Sequence, residues 1–426
     1  MTSKSPIPWT PSLPKSWSVQ RAKTVLYRAK ELNVGRTETQ ILSLTLRGVV
    51  DNDPDNPEGL VPDDYATYQV FEPDDLVFKL IDLENVRTSR VGLVPKRGAM
   101  SSAYLRLRPR RGVSVRFLYW SFFDLYNRQI FNHLGSGVRS TLGAGDVLNL
   151  PLALPDEMTQ HAIADYLDAE TARIDALIAK KQRMVKLLGE RFESSIFHAV
   201  TRGIRETRGM RSSNLDWLTE LPMDWATPRV SYNFQLQLGK MLNAEAASGA
   251  IQSPYLRNVN VQWDRIDQSD LATMHFSEAD RRRCELRTGD VLVCEGGEVG
   301  RSAVWNGEVQ DCYFQKAIHR ARPRTNANGR FLMYCLRAAA KMNVFAVEGN
   351  QSTIVHLTGE QLSAHRFPWP PPDEQQGIVY RLDTDKADTE ATRKKLMDQV
   401  DLLSERRQAL ITAAVTGDLE IPGVAA

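Results

Sequence analysis

Two copies of one residue pattern run through the chain, and this duplication limits its possible folds more than any other feature. A cassette with two tryptophans recurs 208 positions further on: Trp9, Leu13, Pro14, Trp17 and Arg21 correspond to Trp217, Leu221, Pro222, Trp225 and Arg229. A second segment begins at Gln160 and recurs from Gln375 with a constant displacement of 215. Because both segments repeat in the same order, we predict two domains of one fold.

The segment that follows Pro-Asp-Glu in each copy is predicted to be one long helix. It contains no proline, and Gly203 and Gly417 supply the stops. Apolar residues recur in it at a spacing of seven, as in a coiled-coil seam. The predicted seam residues are Leu167, Ile174, Leu188, Leu382, Leu396, Leu403 and Leu410. We therefore predict that the two helices pair as an antiparallel coiled coil rather than docking separately.

The regions between the repeated segments have a mixed α/β pattern. Strands are predicted at residues 75–80, 114–120, 289–294 and 351–357, where β-branched and aromatic residues stand between turn residues. Helices are predicted at 117–132 and 331–347, and a solvated loop at 51–64. The fold class is therefore α+β: two similar α/β domains separated by two long helices, with an internal pseudo-twofold repeat.

Composition excludes several classes of protein. The 54 basic and 52 acidic residues nearly cancel, to a net charge of +2, so any basic surface must be local. The 4 cysteines include no Cys-x-x-Cys pair, which argues against a disulfide framework and a zinc site. No signal-peptide pattern opens the chain, and no apolar run approaches the roughly 18 residues of a membrane span. A cytoplasmic protein without a membrane partner is expected.

Basic residues cluster at equivalent places in the two halves. No acidic residue occurs from 85 to 123 or from 312 to 347. Cations without counter-ions repel one another unless a polyanion neutralises them, so these tracts are candidates for DNA binding, with a solvated basic face as the alternative. The candidates are Arg87, Arg90, Lys96, Arg97, Arg106, Arg108, Arg110, Arg111, Lys316, Arg320, Arg322 and Arg324, a separate triple Arg281, Arg282 and Arg283, and the loop residues Arg139, Asn350 and Gln351.

Motifs of catalysis are absent from the sequence. There is no Gly-x-x-x-x-Gly-Lys-Ser/Thr phosphate loop, no Asn-Pro-Pro-aromatic motif of an adenine or cytosine methyltransferase, and no His cluster for a metal. Acidic pairs such as Asp74 and Asp75 lack the following Glu-x-Lys of a metal-dependent nuclease. The chain is predicted to bind rather than to catalyse, with no catalytic residue and no metal ligand of its own.

Three motifs resemble the DNA-specificity subunit of type I restriction-modification systems. They are the proline-rich helix approach FPWPPPDEQ at 367–375, the strand GDVL at 289–292 and the helix end AVTG at 414–417. The resemblance covers essentially the whole chain. It implies target-recognition domains at 1–154 and 204–371, spacer helices at 155–203 and 372–417, and a short tail at 418–426.

The resemblance also implies the partners. In that family each recognition domain reads one half of a split site in double-stranded DNA, and the paired helices set the gap. Two methylation subunits bind the helices, and restriction and translocation subunits complete the complex. S-adenosylmethionine, ATP and magnesium would belong to these partners, with no cofactor in this chain.

Two alternatives remain from the residues alone. One is a self-contained, type II-like DNA methyltransferase or nuclease whose active site the motifs do not reveal. The other is a coiled-coil scaffold whose basic faces bind RNA or acidic proteins.

Overall fold

The structure is a computed structural model, and it describes residues 2–53, 64–81, 89–134, 141–205, 209–249, 251–324, 326–347 and 356–421. The chain divides into two compact units: unit 1 comprises residues 1–182 and 397–426, and unit 2 comprises residues 183–396. Each unit therefore contains a part of each long helix, whereas the domain bounds expected from the sequence separate the helices from both domains.

Unit 1 is built from short strands and helices that lead into the first long helix. Its strands are β1 (Thr2–Lys4), β2 (Ser12–Pro14), β3 (Ser18–Arg21), β4 (Leu26–Arg28), β5 (Leu42–Thr45), β6 (Gly48–Asp51), β7 (Gln69–Phe71), β8 (Leu76–Phe78), β9 (Val91–Leu93), β10 (Gly98–Met100), β11 (Leu105–Pro109) and β12 (Pro151–Leu154). Its helices are α1 (Ala22–Val25), α2 (Val115–Asn127), α3 (Ile130–Leu134) and α4 (Ala144–Asn149), before the long helix α5 (Glu157–Arg202).

Unit 2 repeats this order with different insertions. Its strands are β13 (Met210–Leu215), β14 (Leu218–Pro222), β15 (Phe234–Leu238), β16 (Gln252–Leu256), β17 (Val261–Gln262), β18 (Arg265–Ile266), β19 (Ala272–His275), β20 (Val291–Cys294), β21 (Ser302–Val304), β22 (Tyr313–Phe314) and β23 (Ile318–Pro323). Its helices are α6 (Val230–Asn233), α7 (Ala244–Ser248), α8 (Glu278–Cys284), α9 (Gly329–Lys341), α10 (Val344–Val347) and α11 (Gly359–Ala364), before the long helix α12 (Pro372–Thr416).

A four-stranded antiparallel sheet recurs in the two units. The strand order is β4-β11-β8-β9 in unit 1 and β15-β23-β20-β21 in unit 2. The helix after the last of these strands in the chain, α2 or α9, buries apolar side chains such as Phe117 and Phe331 in the core of its unit. The predicted duplication and the α+β fold class are confirmed.

The insertions differ between the units. In unit 1 the β5–β6 hairpin and β7 with β10 surround a small core around Phe71 and Met100. In unit 2 strand β16 pairs antiparallel with β19 and parallel with β22, over a separate core around Tyr255 and Phe314. A shared framework therefore carries two unlike variable regions.

The long helices are 46 and 45 residues, and the glycines just beyond their ends, Gly203 and Gly417, have φ of 80° and 77°. Only glycine adopts this region readily, so both predicted stops act as helix C-caps. In unit 1 the helices run antiparallel. Lys181 Nζ of α5 lies 2.6 Å from Gln399 Oε1 of α12, and Asp175, earlier on α5, contacts Arg407, later on α12. In unit 2 the Ser195 hydroxyl faces Asp385 at 3.4 Å.

The predicted seam residues that lie next to the domain cores are the most buried. Buried members are Leu167, Ile174, Leu382 and Leu396, and half-buried members are Leu188, Leu403 and Leu410.

Some predicted elements differ in the structure. The strand predicted at 114–120 is wrong: these residues begin helix α2, since Phe117, Leu118, Phe122 and Leu125 recur at helical spacing and bury one face. The predicted helices at 117–132 and 331–347 each break into two, at Gln129 and Asn343, which have φ of 58° and 55°.

Two predictions fall largely outside the described residues. These are most of the loop at 51–64 and most of the strand at 351–357; the described residues 356–357 of the latter are not in a strand. Among the helices that the structure describes, none combines the length and apolarity that a membrane span needs.

Candidate nucleic-acid interface

Each unit carries three arginines at alternate positions near the end of the strand that precedes helix α2 or α9. They form the motif Arg-x-Arg-Pro-Arg, at 106–110 and at 320–324. The first two arginines of each copy lie on β11 or β23, and the third lies one residue beyond the strand. Alternate residues of a strand share one side of the sheet, so the three lie in a row. Burial decreases along the row: Arg106 and Arg320 are buried, Arg108 and Arg322 are half-buried, and the last arginine is exposed.

A buried aspartate holds the inner part of each row. In unit 1, Asp75 accepts Nε–H of Arg106 at 2.5 Å and of Arg108 at 2.7 Å, together with the backbone N–H of Glu72. In unit 2, Asp290 accepts two bonds from Arg322, at 2.8 and 2.7 Å, together with the backbone N–H of Arg287. In both units, therefore, the buried aspartate pairs with the arginine that precedes the proline of the motif.

Arg320 takes part in packing rather than in an exposed surface. It donates to the backbone carbonyls of Arg283 and Glu285 at 3.1 and 2.5 Å and lies over the ring of Phe314. Burial, reinforced by the neighbouring Arg322, lowers the pKa of Arg320. These contacts fix the strand rather than leaving a cation for a ligand.

The outermost cations remain available. Within the described parts of the chain, Arg110, Arg111, Lys316 and Arg324 are exposed and make no ion pair. The guanidinium of Arg110 lies 5.6 Å from the ring centre of Tyr27, whose side chain is itself exposed. An arginine supported on an aromatic face presents its donors outwards, which suits phosphate or guanine contact.

Other predicted candidates have carboxylate partners from distant parts of the chain. Lys96 pairs with Asp51 at 2.9 Å, and Arg97 pairs with Glu38 and Glu72. The expectation that these tracts lack counter-ions is wrong, because the sheet and its hairpins bring acidic side chains from outside each tract against it.

The arginine triple lies on helix α8 and is neutralised locally. Arg282 pairs with Glu278 at 2.6 Å and Arg283 with Asp280 at 3.2 Å, while Arg281 lies over the ring of Tyr313. Although its partial burial opposes ionisation of Asp280, hydrogen bonds from Lys240 and Ser277 lower the pKa of Asp280 to about 2. This helix face is therefore an ion-paired surface.

The remaining candidates divide between the interior and the undescribed segments. Arg90 is buried, and its Nη1 donates to the carbonyl of Ile81 at 3.0 Å. The candidates Arg87, Arg139, Asn350 and Gln351 lie outside the described residues.

Sequence reasoning missed two features of this surface. The Arg-x-Arg-Pro-Arg repeat is detectable in the sequence, because its two copies are displaced by 214 positions. Arg47, at the tip of the β5–β6 hairpin, is also exposed without an ion pair among the described residues. A basic residue in a two-residue turn gives no cluster signal in the sequence.

The cysteines do not offer nucleophiles. All four are buried free thiols. Burial raises the pKa of Cys294 to about 11 and of Cys312 to about 12, so they stay protonated near neutral pH. Among the described residues, no group of three or more His, Cys, Asp or Glu side chains is placed to hold a metal ion.

Comparison with known proteins gives one family. The model of the type I restriction modification DNA specificity domain matches residues 224–400. The EcoKI specificity subunit of Escherichia coli strain K12 is 21% identical over 335 residues, which cover 74% of this chain and 67% of that protein. The EcoBI specificity subunit of Escherichia coli is 38% identical over 324 residues, covering 70% of this chain and 66% of that protein. The chain thus spans about two thirds of the length of these two relatives.

Two solved structures share the fold. A chain from work described as "Structural basis underlying complex assembly and conformational transition of the type I R-M system" aligns with a TM-score of 0.73 at 17% identity, covering 96% of this chain and 99% of that one. The HsdS subunit from Thermoanaerobacter tengcongensis aligns with a TM-score of 0.53, also at 17% identity, covering 96% and 98%.

Proposed function

Because this chain belongs to the family of type I restriction-modification DNA specificity subunits, the non-catalytic subunits that recognise the DNA target, we propose that each of its two units reads one half of a split duplex target. Family membership favours this function over a self-contained nuclease or an RNA-binding scaffold. One observation carries the assignment of the reading surface: in both units the same row of arginines leads from a buried aspartate to an exposed arginine that has no ion pair among the described residues.

The proposed contacts are the exposed members of this row and their neighbours. In unit 1 these are Arg110 and Arg111, and in unit 2 they are Arg324 and Lys316. Arginine binds phosphate or the guanine edge through two parallel donors, which lysine cannot do. The buried Arg106 and Arg320 support the strand from which the outer residues project, and the undescribed Arg87, Arg139, Asn350 and Gln351 remain candidates for base contacts.

Replacing Arg110 and Arg111 together with alanine tests this surface. If both contact phosphates, the slope of log affinity against log salt should decrease in magnitude by about 0.9 per lost contact, about 1.8 in all. If one contacts guanine, discrimination at one base pair should fall by about 1–3 kcal/mol. The measurement is a salt titration of binding to the cognate duplex by the chain assembled with its methylation subunit.

The matched control is the double replacement of Lys96 and Arg97, which are exposed in the same unit but paired with carboxylates. That variant should keep the wild-type slope. Equal affinity, slope and discrimination in the Arg110 and Arg111 variant would remove these residues from the interface.

We also propose that two methylation subunits bind the long helices. Leu187 on α5 and Leu402 on α12 are equivalent by the displacement of 215, and their side chains are 50% and 65% exposed. An exposed leucine on each helix at the same repeat position provides two similar apolar contacts, one in each unit. Two equivalent sites accommodate two copies of one partner.

In this assembly the partners hold the reactive groups. Methylation subunits would carry S-adenosylmethionine, and restriction and translocation subunits would use ATP and magnesium. This chain would contribute DNA recognition and docking surfaces.

Glutamate at Leu187 or Leu402 is expected to remove one methylation subunit each, since a charge in an apolar contact costs on the order of 2–4 kcal/mol of binding. Native mass spectrometry of the co-expressed complex should then show one partner copy per chain instead of two, and none in the double variant.

The wild-type chain expressed alone should be poorly soluble, because both leucines stay exposed. Met158→Glu is the control, because Met158 is exposed but precedes Gln160, where the repeated segment begins. Two copies retained by the double variant would contradict the docking sites.

A further inference from the structure

A short helix is tied to a long helix in the same way in both units. In unit 1, Arg116 Nη1 and Trp120 Nε1 of α2 donate to Asp168 of α5 at 2.7 and 2.8 Å. In unit 2, Arg330 Nε and the Tyr334 hydroxyl of α9 donate to Asp383 of α12 at 2.7 and 2.5 Å. The arginine, the aromatic residue and the aspartate correspond through the repeat.

Unit 2 adds a link to its variable region. The remaining guanidinium nitrogens of Arg330 donate to the two carboxylate oxygens of Asp264 at 2.8 and 3.0 Å. Lys386 of α12 donates to the same carboxylate at 2.6 Å. In unit 1 the second carboxylate bound by Arg116 is Asp165, which lies on α5 itself. The unit 1 contact therefore joins helix to helix, whereas the unit 2 contact also reaches the variable region.

Asp264 is placed rigidly on that region. It lies in the turn between β17 and β18 with φ of 55°, and its backbone N–H donates to the carbonyl of Ser302 on β21 at 3.0 Å. The flanking Val261 and Ile266 are buried in the variable core. Its side chain is only 4% exposed, and Arg330 and Lys386 face the carboxylates of Asp264 and Asp383 there, while the exposed Glu390 lies 3.7 Å from Lys386. Short, bidentate pairs of this kind specify orientation more than they add stability.

We infer that Asp264, Arg330 and Lys386 are positioning residues that hold the variable region of unit 2 at one orientation on helix α12, and so restrict the gap between the two half-targets. The inference rests on the proposed function, in which unit 2 reads one half-target. A variable region that rotates on its helix accepts a half-site displaced along the duplex. Loss of the contacts of Asp264 therefore widens the range of gaps that the protein accepts, while the bases that it reads stay the same.

The test measures spacing directly. The chain and its methylation subunit are assembled, and adenine methylation is followed on duplexes that carry the wild-type half-sites at the native gap and at gaps longer or shorter by one base pair. Asp264→Asn should lower the ratio of native-gap to altered-gap methylation by about tenfold. Lys386→Met, which keeps the Arg330 pair with Asp383, should lower it by about threefold. Both variants should retain the half-site sequences.

Asp168→Asn is the matched control, because it breaks the equivalent contact in unit 1 without touching a variable region, and the ratio should stay within about twofold of wild type. If the Asp264 variant does not assemble, the Lys386 variant decides the outcome. A lower melting temperature with an unchanged gap ratio would show a purely structural role and overturn the inference. A wild-type complex that methylates no split target would instead overturn the proposed function.

Discussion

Replacing Asp75 with asparagine is expected to destabilise unit 1 by about 3–5 kcal/mol, because it leaves the buried guanidinium of Arg106 with only the half-exposed carboxylate of Glu31, 3.6 Å away, as a counter-charge. The side chains of Asp75 and Arg106 are 2% and 1% exposed, so water cannot replace the lost carboxylate. The amide also turns an N–H group towards an arginine donor. A loss of this size is a large part of the stability of a typical domain. Hydrogen exchange of the β11 peptides in the assembled complex, before and after the replacement, measures it.

Two comparisons within the chain make this test specific. Asp290→Asn removes the equivalent carboxylate in unit 2, but its partner Arg322 is 18% exposed, so a smaller loss is expected. Asp51→Asn removes the exposed pair with Lys96 and should change the stability by no more than about 1 kcal/mol. If Asp75→Asn behaved like Asp51→Asn, the arginine row would not depend on its aspartate.

Exchanging residues 18–150 for the corresponding region of another specificity subunit is expected to change one half of the methylated sequence and to leave the other half intact. Each mismatched base pair costs about 1–3 kcal/mol, so three altered positions shift preference by on the order of 10²-fold or more. Sequencing of methylated adenines in a host that expresses the exchanged chain with its methylation subunit reads both halves at once.

The structure sets a condition on the donor region. The exchanged segment meets α5 through the backbone N–H of Ser114, which donates to Gln160 at 2.9 Å, and through Arg116 and Trp120, which contact Asp168. A donor that lacks these residues should fail to fold against the helix, and restoring them is the control. A folded exchange that altered both half-sites would show that the units do not read independently.

Features that depend on residues close in the chain were predictable from the sequence. The duplication, the two long helices and their glycine stops follow from repeated letters, helical spacing and the conformational freedom of glycine. The seam residues Leu167 and Leu382 were also predictable, since a helix of known phase must bury its apolar side. Where two local signals overlapped, at 114–120, the strand interpretation failed because the packing of α2 in the core selected the helix.

Which charged residues face solvent was decided only by the tertiary structure. The two acid-free tracts are uniform in sequence, yet folding places Arg106 against Asp75, Arg97 against Glu38 and Arg330 against Asp264, while Arg110 and Arg324 stay unpaired among the described residues. An ion pair depends on distance through space, and strand order and hairpin position set that distance between residues far apart in the chain. The sequence by itself determined a duplicated pair of α+β domains with two long helices and acid-free arginine tracts, and the sheet order then selected which arginines support the fold and which remain exposed.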